Sequence, residues 1–273
     1  MNSKKTNVRA LTECSIMIAL STVLSVIKLF EMPYGGSITL ASMLPIVIIA
    51  YRLGIKYGLA SATVTSVIQL LLGLSNFSYF TTWYSLVALA VLDYIVAFCA
   101  FGLSGLFRDV IGKQNMALAA GAATASVIRY VCHVISGATV WAGLSIPTEA
   151  ALLYSLSYNA TYMIPETIIL VLCAAYLGSA VDFRAASPTR IKNEKLDTAS
   201  AYCLLGAGLA LISALIVDTI LVFSKLQNGD SGELDITAIA SVNWLALAIV
   251  TAVALAVAAA LLGYAKARMK KSK

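Results

Sequence analysis

The stretch MALAAGAATASVIRYVCHVISGATVW, residues 116–141, decides how the rest of the chain is read. It is apolar over a length close to the ~20 residues that a helix needs to cross a bilayer. Its second half nevertheless carries Arg129, the chain's one histidine, His133, and, at its end, Trp141. An ionisable side chain at mid-membrane costs roughly 2.5–3.5 kcal/mol on insertion scales. A span that keeps a cation and an imidazole needs a use for them.

The whole chain shares this character. It has 273 residues, of which 60% are hydrophobic and 12% charged, and its mean hydropathy is +0.89. Soluble domains carry about 25% charged residues, so the composition specifies a polytopic all-α membrane protein. Eight hydrophobic spans are expected, at 9–30, 38–55, 57–75, 83–107, 116–140, 158–181, 199–224 and 236–264. The first is too long for a signal-peptide core and has no small-residue cleavage site behind it, so it is expected to remain in the chain.

Lysine and arginine outside the spans alternate cleanly. Lys4, Lys5, Arg9, Arg52, Lys56, Arg108, Lys113, Arg184, Arg190, Lys192, Lys195 and the five basic residues from Lys266 onward share one side, sixteen of the 19 in the chain. Only Lys28 and Lys225 fall on the other. The positive-inside rule then places both termini in the cytoplasm, with an even number of helices. The net charge of +6 is accounted for by these loops, and a nucleic-acid partner is not needed.

The polar stretch DFRAASPTRIKNEKLDT, 182–198, divides a six-helix membrane domain, 1–181, from a two-helix extension with a basic tail, 199–273. The acidic loop KLQNGDSGELD, 225–235, is expected on the outer side.

Candidate chemistry is sparse. The five cysteines stand singly, without metal-ligand spacing. One histidine, no HExxH and no serine–histidine–aspartate set argue against a hydrolase. Gly112-Lys113 lacks the spacing of a phosphate loop, so no ATPase motif is present. No catalytic residue, metal or cofactor is expected. What remains are groups that lipid does not tolerate: Asp93, Arg129, His133, Glu166 and Asp218. At 1.5 Å per residue, Asp93 lies about 15 Å below the outer surface. His133, Trp141, Tyr154 and Asn159 fall toward the same side. A carboxylate, an imidazole, an amide and aromatic faces suit a flat, polar, cationic solute. Arg129, four residues before His133, reads as a structural partner of Asp93 or Glu166, and Glu166 follows a kink at Pro165. The residues alone stop at a membrane protein that binds or moves a small solute.

The pieces NVRALTE (7–13), YGGSITLASMLPI (34–46), ALAVLDYIVAFCAFGLSGLF (88–107), RYVCHVISGATVW (129–141) and YSLSYN (154–159) together resemble the thiamine-specific S components of energy-coupling factor (ECF) transporters. The resemblance covers residues 7–181 and implies a six-helix fold with a thiamine pocket near the outer face. It implies that Asp93 and Tyr94 on helix four, His133 and Trp141 at helix five, and Tyr154 and Asn159 at helix six form that pocket. It also implies partners: a transmembrane coupling subunit and two ATPase subunits, met through small residues on helix one, here Ser15 and Ala19. Three features depart from the family: aspartate where glutamate is common, Gly35-Gly36 where some relatives have tryptophan, and the two extra helices. Trp83 or Tyr79 could supply the missing aromatic wall.

Two other readings stay open. One is an S component for a pyrimidine or thiazole precursor of thiamine. The other is a stand-alone proton-coupled transporter of a small cation. No inverted repeat supports the latter, and a lipid-acting enzyme ranks third for want of a nucleophile–base pair.

Overall fold

The computed structural model describes residues 2–144, 146–191, 198–226 and 235–271. They divide into two compact units, Met1–Thr189 and the C-terminal helices from Arg190 onward.

The first unit is a six-helix bundle. Helix α1 covers Asn2–Val26 and is followed by a hairpin of β1, Lys28–Glu31, and β2, Ser37–Thr39. Then come α2 (Leu44–Leu53), α3 (Ile55–Leu72), the continuous helical span α4 (Trp83–Phe107), α5 (Gln114–Thr139) and α6 (Ala151–Ala180). The second unit holds α7 (Thr198–Leu226) and α8 (Trp244–Lys271). Among the described residues seven helices are long and apolar enough to cross a membrane. The chain is a multi-pass, all-α membrane protein.

The expected eighth span, 38–55, is the exception. Its helical part is only the ten residues of α2, about 15 Å, or half of a ~30 Å hydrocarbon core. The other half is occupied by the hairpin, with Lys28 opposite Thr39 and Glu31 opposite Ser37. The turn needs left-handed backbone, at Tyr34 (φ 61°) and Gly35 (φ 100°), which ends any helix there. Non-helical backbone survives at membrane depth only when protein covers it or it lines a cavity. Met32, Ile38 and Thr39 are accordingly buried. Residues Leu44 to Tyr51 of α2 are buried on every side, so the short helix is the core around which the others stand. Gly54, at φ 88°, closes it and lets α3 begin at once.

Helix α4 changes pitch along its length. It is α-helical to Leu89, a π-helix over Ala90–Val96, and a 3₁₀-helix over Ala100–Phe107. The π turn carries an extra residue, and it brings two consecutive side chains, Asp93 and Tyr94, into the interior. The tight 3₁₀ end packs backbone against backbone: a Cβ on Gly105 would stand 2.2 Å from the Ala50 carbonyl oxygen.

Opposite the hairpin, the helix ends are tied together by arginines. Arg52 grips the Glu13 carboxylate at 2.7 and 3.2 Å and donates to the carbonyls of Phe183, Ala185 and Ala186 at 2.7–2.9 Å. Arg184 reaches the Tyr51 hydroxyl at 2.7 Å, and Gln114 bonds the carbonyls of Gly178 and Val181. The first part of the polar stretch 182–198 is thus fastened to the bundle. Residues 192–197 of it, and 227–234 of the acidic loop, lie outside the described residues.

Candidate functional site

A cavity of about 570 Å³ opens within the first unit, between the hairpin, α1, α3, α4, α5 and α6. Its size falls in the range of small-molecule pockets. The local structure explains who reaches it. The π turn delivers Asp93 and Tyr94; Arg129, His133 and Gly137 stack along one face of α5; Tyr158, Asn159, Tyr162 and Glu166 recur along one face of α6. Trp141 sits just past the end of α5, buried, and Tyr34 enters from the hairpin turn.

A hydrogen-bonded chain crosses this space. Trp141 Nε1 donates to Asp93 Oδ2 at 2.9 Å, and His133 Nδ1 lies 3.1 Å from Asp93 Oδ1. On the other edge of the imidazole, Arg129 Nε donates to Nε2 at 3.3 Å. An arginine N–H needs a lone pair to point at, so Nε2 is the acceptor and the proton sits on Nδ1, directed at Asp93. Arg129 Nη1 then donates to Glu166 Oε2 at 3.2 Å, and its guanidinium lies 4.6 Å over the Phe98 ring. The second Glu166 oxygen accepts from Thr39 Oγ1 at 2.9 Å, with Ser42 Oγ 2.8 Å from the same hydroxyl. Of the two partners open to Arg129 in the sequence, the structure selects Glu166.

The electrostatics follow from this pairing. Two cations, Lys28 and Arg129, and three carboxylates, Glu31, Asp93 and Glu166, line the cavity. Lys28 is bonded to Glu31 at 2.5 Å and Arg129 to Glu166. Asp93 is left with neutral donors only. The wall carries one negative charge in excess, located at Asp93.

Five of the six expected binding residues, Asp93, Tyr94, His133, Trp141 and Asn159, line this cavity. Tyr94 is held by Asn76 Nδ2 at 3.0 Å and donates to the Gly73 carbonyl at 3.3 Å. Asn159 is largely engaged by the protein: its Nδ2 bonds the carbonyls of Ser155 and His133, and its Oδ1 accepts from Tyr162 at 2.8 Å. The sixth, Tyr154, is not among the lining residues. Helix α6 starts at Ala151 rather than 158, so Tyr154 stands one turn before the lining face, and Tyr158 and Tyr162 occupy it instead.

The sequence reading also passed over Tyr34, whose ring centroid is 6.3 Å from that of Trp141. Tyr34 immediately precedes Gly35-Gly36 and supplies an aromatic wall there, whereas Trp83 is 75% exposed. Tyr79 packs behind Tyr34 at 5.4 Å. The PYGG turn was the available signal, since Pro and Gly in succession mark a tight bend, and Tyr34 is the one aromatic residue in it. Ser15 and Ala19 stand on the exposed side of α1. Among the described residues no three His, Cys, Asp or Glu side chains gather as metal ligands.

The fold and cavity define a multi-pass membrane protein with an internal cavity of small-molecule size, lined by a carboxylate that has no cation of its own. Comparison with known proteins narrows the class. Residues 11–184 match the model of the thiamine transporter protein family (Thia_YuaJ), and the chain belongs to that family. It is 34% identical over 208 residues to thiamine transporter ThiT of Bacillus subtilis (strain 168), an alignment spanning 71% of this chain and all of that one. Its fold matches the solved structure of ThiT from Listeria monocytogenes with a TM-score of 0.53 at 22% identity, over 63% of this chain and 94% of the other. Helices α7 and α8 lie beyond the residues that the family model matches.

Proposed function

We propose that the chain binds thiamine in this cavity as the substrate-binding S component of an ECF-type transporter. The observation that carries the reading is Asp93: a buried carboxylate held by Trp141 and His133, without a cation of its own, inside a partly aromatic cavity. Thiamine presents a permanent thiazolium charge, an aminopyrimidine with donors and acceptors, and two flat rings. Asp93 answers the charge, and Trp141, Tyr34 and His133 form flat walls. Tyr158 and the remaining Asn159 acceptor read the polar edges.

In this reading the protein sits in the cell membrane with both termini in the cytoplasm and the cavity toward the outside, a topology that the lysine and arginine distribution supports. It is a transporter subunit rather than an enzyme. ATP hydrolysis comes from two partner ATPases through a transmembrane coupling subunit, with Ser15 and Ala19 on α1 as contact points. No cofactor is used.

The test is a thiamine titration of the purified chain in detergent, followed by tryptophan emission, since Trp141 is buried at the site while Trp83 and Trp244 are exposed. Saturable quenching at sub-micromolar thiamine is expected. Asp93→Ala should weaken binding about 100-fold, corresponding to ~3 kcal/mol for an interaction with a buried charge. His133→Ala should weaken it by about tenfold. Equal binding of the isolated pyrimidine or thiazole ring would shift the reading to a precursor. Thiamine accumulation in vesicles holding this chain alone would overturn the S-component assignment.

A further inference from the structure

His133 stands between two groups that pull its protonation in opposite directions. Asp93 faces Nδ1 at 3.1 Å, and Arg129 faces Nε2 at 3.3 Å. An opposite charge at hydrogen-bond distance favours the charged form of a titratable group. Beside Asp93 alone, the imidazole would gain from taking a second proton. The imidazolium so formed would pair with Asp93 and cancel the charge that a cationic guest needs.

Arg129 occupies the edge where that proton would go. Its Nε–H claims the Nε2 lone pair, and its guanidinium, which does not deprotonate in proteins, sets a fixed positive charge there. The arrangement is braced. Nη1 bonds Glu166 at 3.2 Å, the guanidinium lies 4.6 Å over the Phe98 ring, and Glu166 is held in turn by Thr39. The Arg129 and Glu166 side chains are 11% and 9% exposed, so water screens them weakly. Arginine presents its donors in a rigid planar fork, so one side chain reaches the ring through Nε and the carboxylate through Nη1. The other charged groups of the wall, Lys28 and Glu31, are bonded to each other at the mouth.

Resting on the thiamine reading above, we infer that Arg129 is a positioning residue of the binding site: it holds His133 neutral, with its one proton on Nδ1, and so keeps the Asp93 charge free to meet a cation. Arg129 acts through His133. Glu166 and Phe98 contribute by aiming the guanidinium.

The chain has one histidine, so nitrogen NMR of the full protein in detergent, isotope-labelled at histidine, reads this ring alone. At neutral pH, before thiamine is added, the native protein should show a bare Nε2 and a protonated Nδ1. The variant R129M/E166Q removes both charges of the pair and leaves the net charge of the wall unchanged. Both ring nitrogens should then carry protons, and thiamine should bind about 100-fold more weakly, as it does when Asp93 is lost. Adding His133→Ala to that variant removes the competing imidazolium and should bring affinity back to within about tenfold of native. A pair that only held α5 against α6 would leave the ring signals native and make the third substitution a further loss. Either result overturns the inference while leaving the thiamine reading standing. Should R129M/E166Q yield no folded protein, Asp93→Asn decides: with Arg129 in place, Nε2 should stay bare. A proton on Nε2 in D93N, or in the native chain, shows that Arg129 does not govern the ring and overturns the inference. A native chain with a bare Nε2 that binds no thiamine overturns the thiamine reading, and the inference with it, a failure distinct from a misplaced proton.

Discussion

The six-helix bundle and the C-terminal pair meet the same solvent with different internal architectures. In the bundle, 44% of the α4 window is buried within the protein; in α8 the figure is 11%. Polar groups in the bundle are linked from Trp141 to Thr39 without a gap. In the pair, Asp218 accepts from Thr251 at 2.7 Å through one oxygen, and its other oxygen is buried with no partner. The glycines differ too. Gly105 admits no Cβ, while Gly208 and Gly263 have nothing within 4 Å of where one would stand. Lipid tails are as apolar as leucine, so apolar surface in a membrane gains little from being covered by protein. Tight packing is then a marker of where geometry must be held. Here it is held around the cavity.

The comparison is broken most easily at Gly105. Gly105→Val forces side-chain atoms into the Ala50 carbonyl and should cost more than ~3 kcal/mol, enough to abolish monodisperse protein in size-exclusion chromatography. Gly208→Ala, its counterpart in α7, should raise the unfolding midpoint slightly, by up to ~1 kcal/mol of helix propensity. Next in size is Arg52→Ala. It leaves the Glu13 carboxylate with Arg9 alone and strips three carbonyls of their donor, and thermal unfolding in detergent should report a loss of about 2 kcal/mol. The smallest effect is expected at Asp218. Asp218→Leu exchanges one interhelical hydrogen bond for apolar contact, and such bonds average about 0.6 kcal/mol in membrane proteins. Stability and thiamine affinity should both stay near native. A variant that binds normally but abolishes uptake would instead give the C-terminal pair a working carboxylate and revive proton coupling.

The sequence carried some of this plainly. Length and hydropathy are sufficient to find a membrane span, because a lipid-exposed backbone has to satisfy itself as helix. Asp93 and His133 were recognisable because their cost in lipid demands a shared purpose, and Trp141 because it falls toward the same side of the membrane. What escaped was backbone that the protein itself covers. Residues 38–43 are as apolar as a helix would be, and left-handed backbone at Tyr34 and Gly35 before them and at Ala41 (φ 52°) within them keeps them out of the helix. Thr39 and Tyr34 reach the cavity from that non-helical backbone. The start of α6 was missed for the opposite reason: YSLSYN looks polar enough for a loop, yet Ser155, Tyr158 and Asn159 turn inward and are buried. The π turn of α4 has no sequence signature at all, since it appears only as the simultaneous burial of Asp93 and Tyr94.

The arginine latch fixes an order of assembly. Arg52 and Glu13 are both made early, but the carbonyls that complete the Arg52 site arrive 131 to 134 residues later. At ribosomal speeds of 5–20 residues per second, that interval is on the order of ten seconds. For that time the nascent bundle has its short central helix in place and one end unfastened, and insertion must proceed around a half-satisfied guanidinium. The latch closes only after α6 has been synthesised, and α7 begins a dozen residues further on. The site-bearing unit can therefore be finished before the two terminal helices enter the membrane.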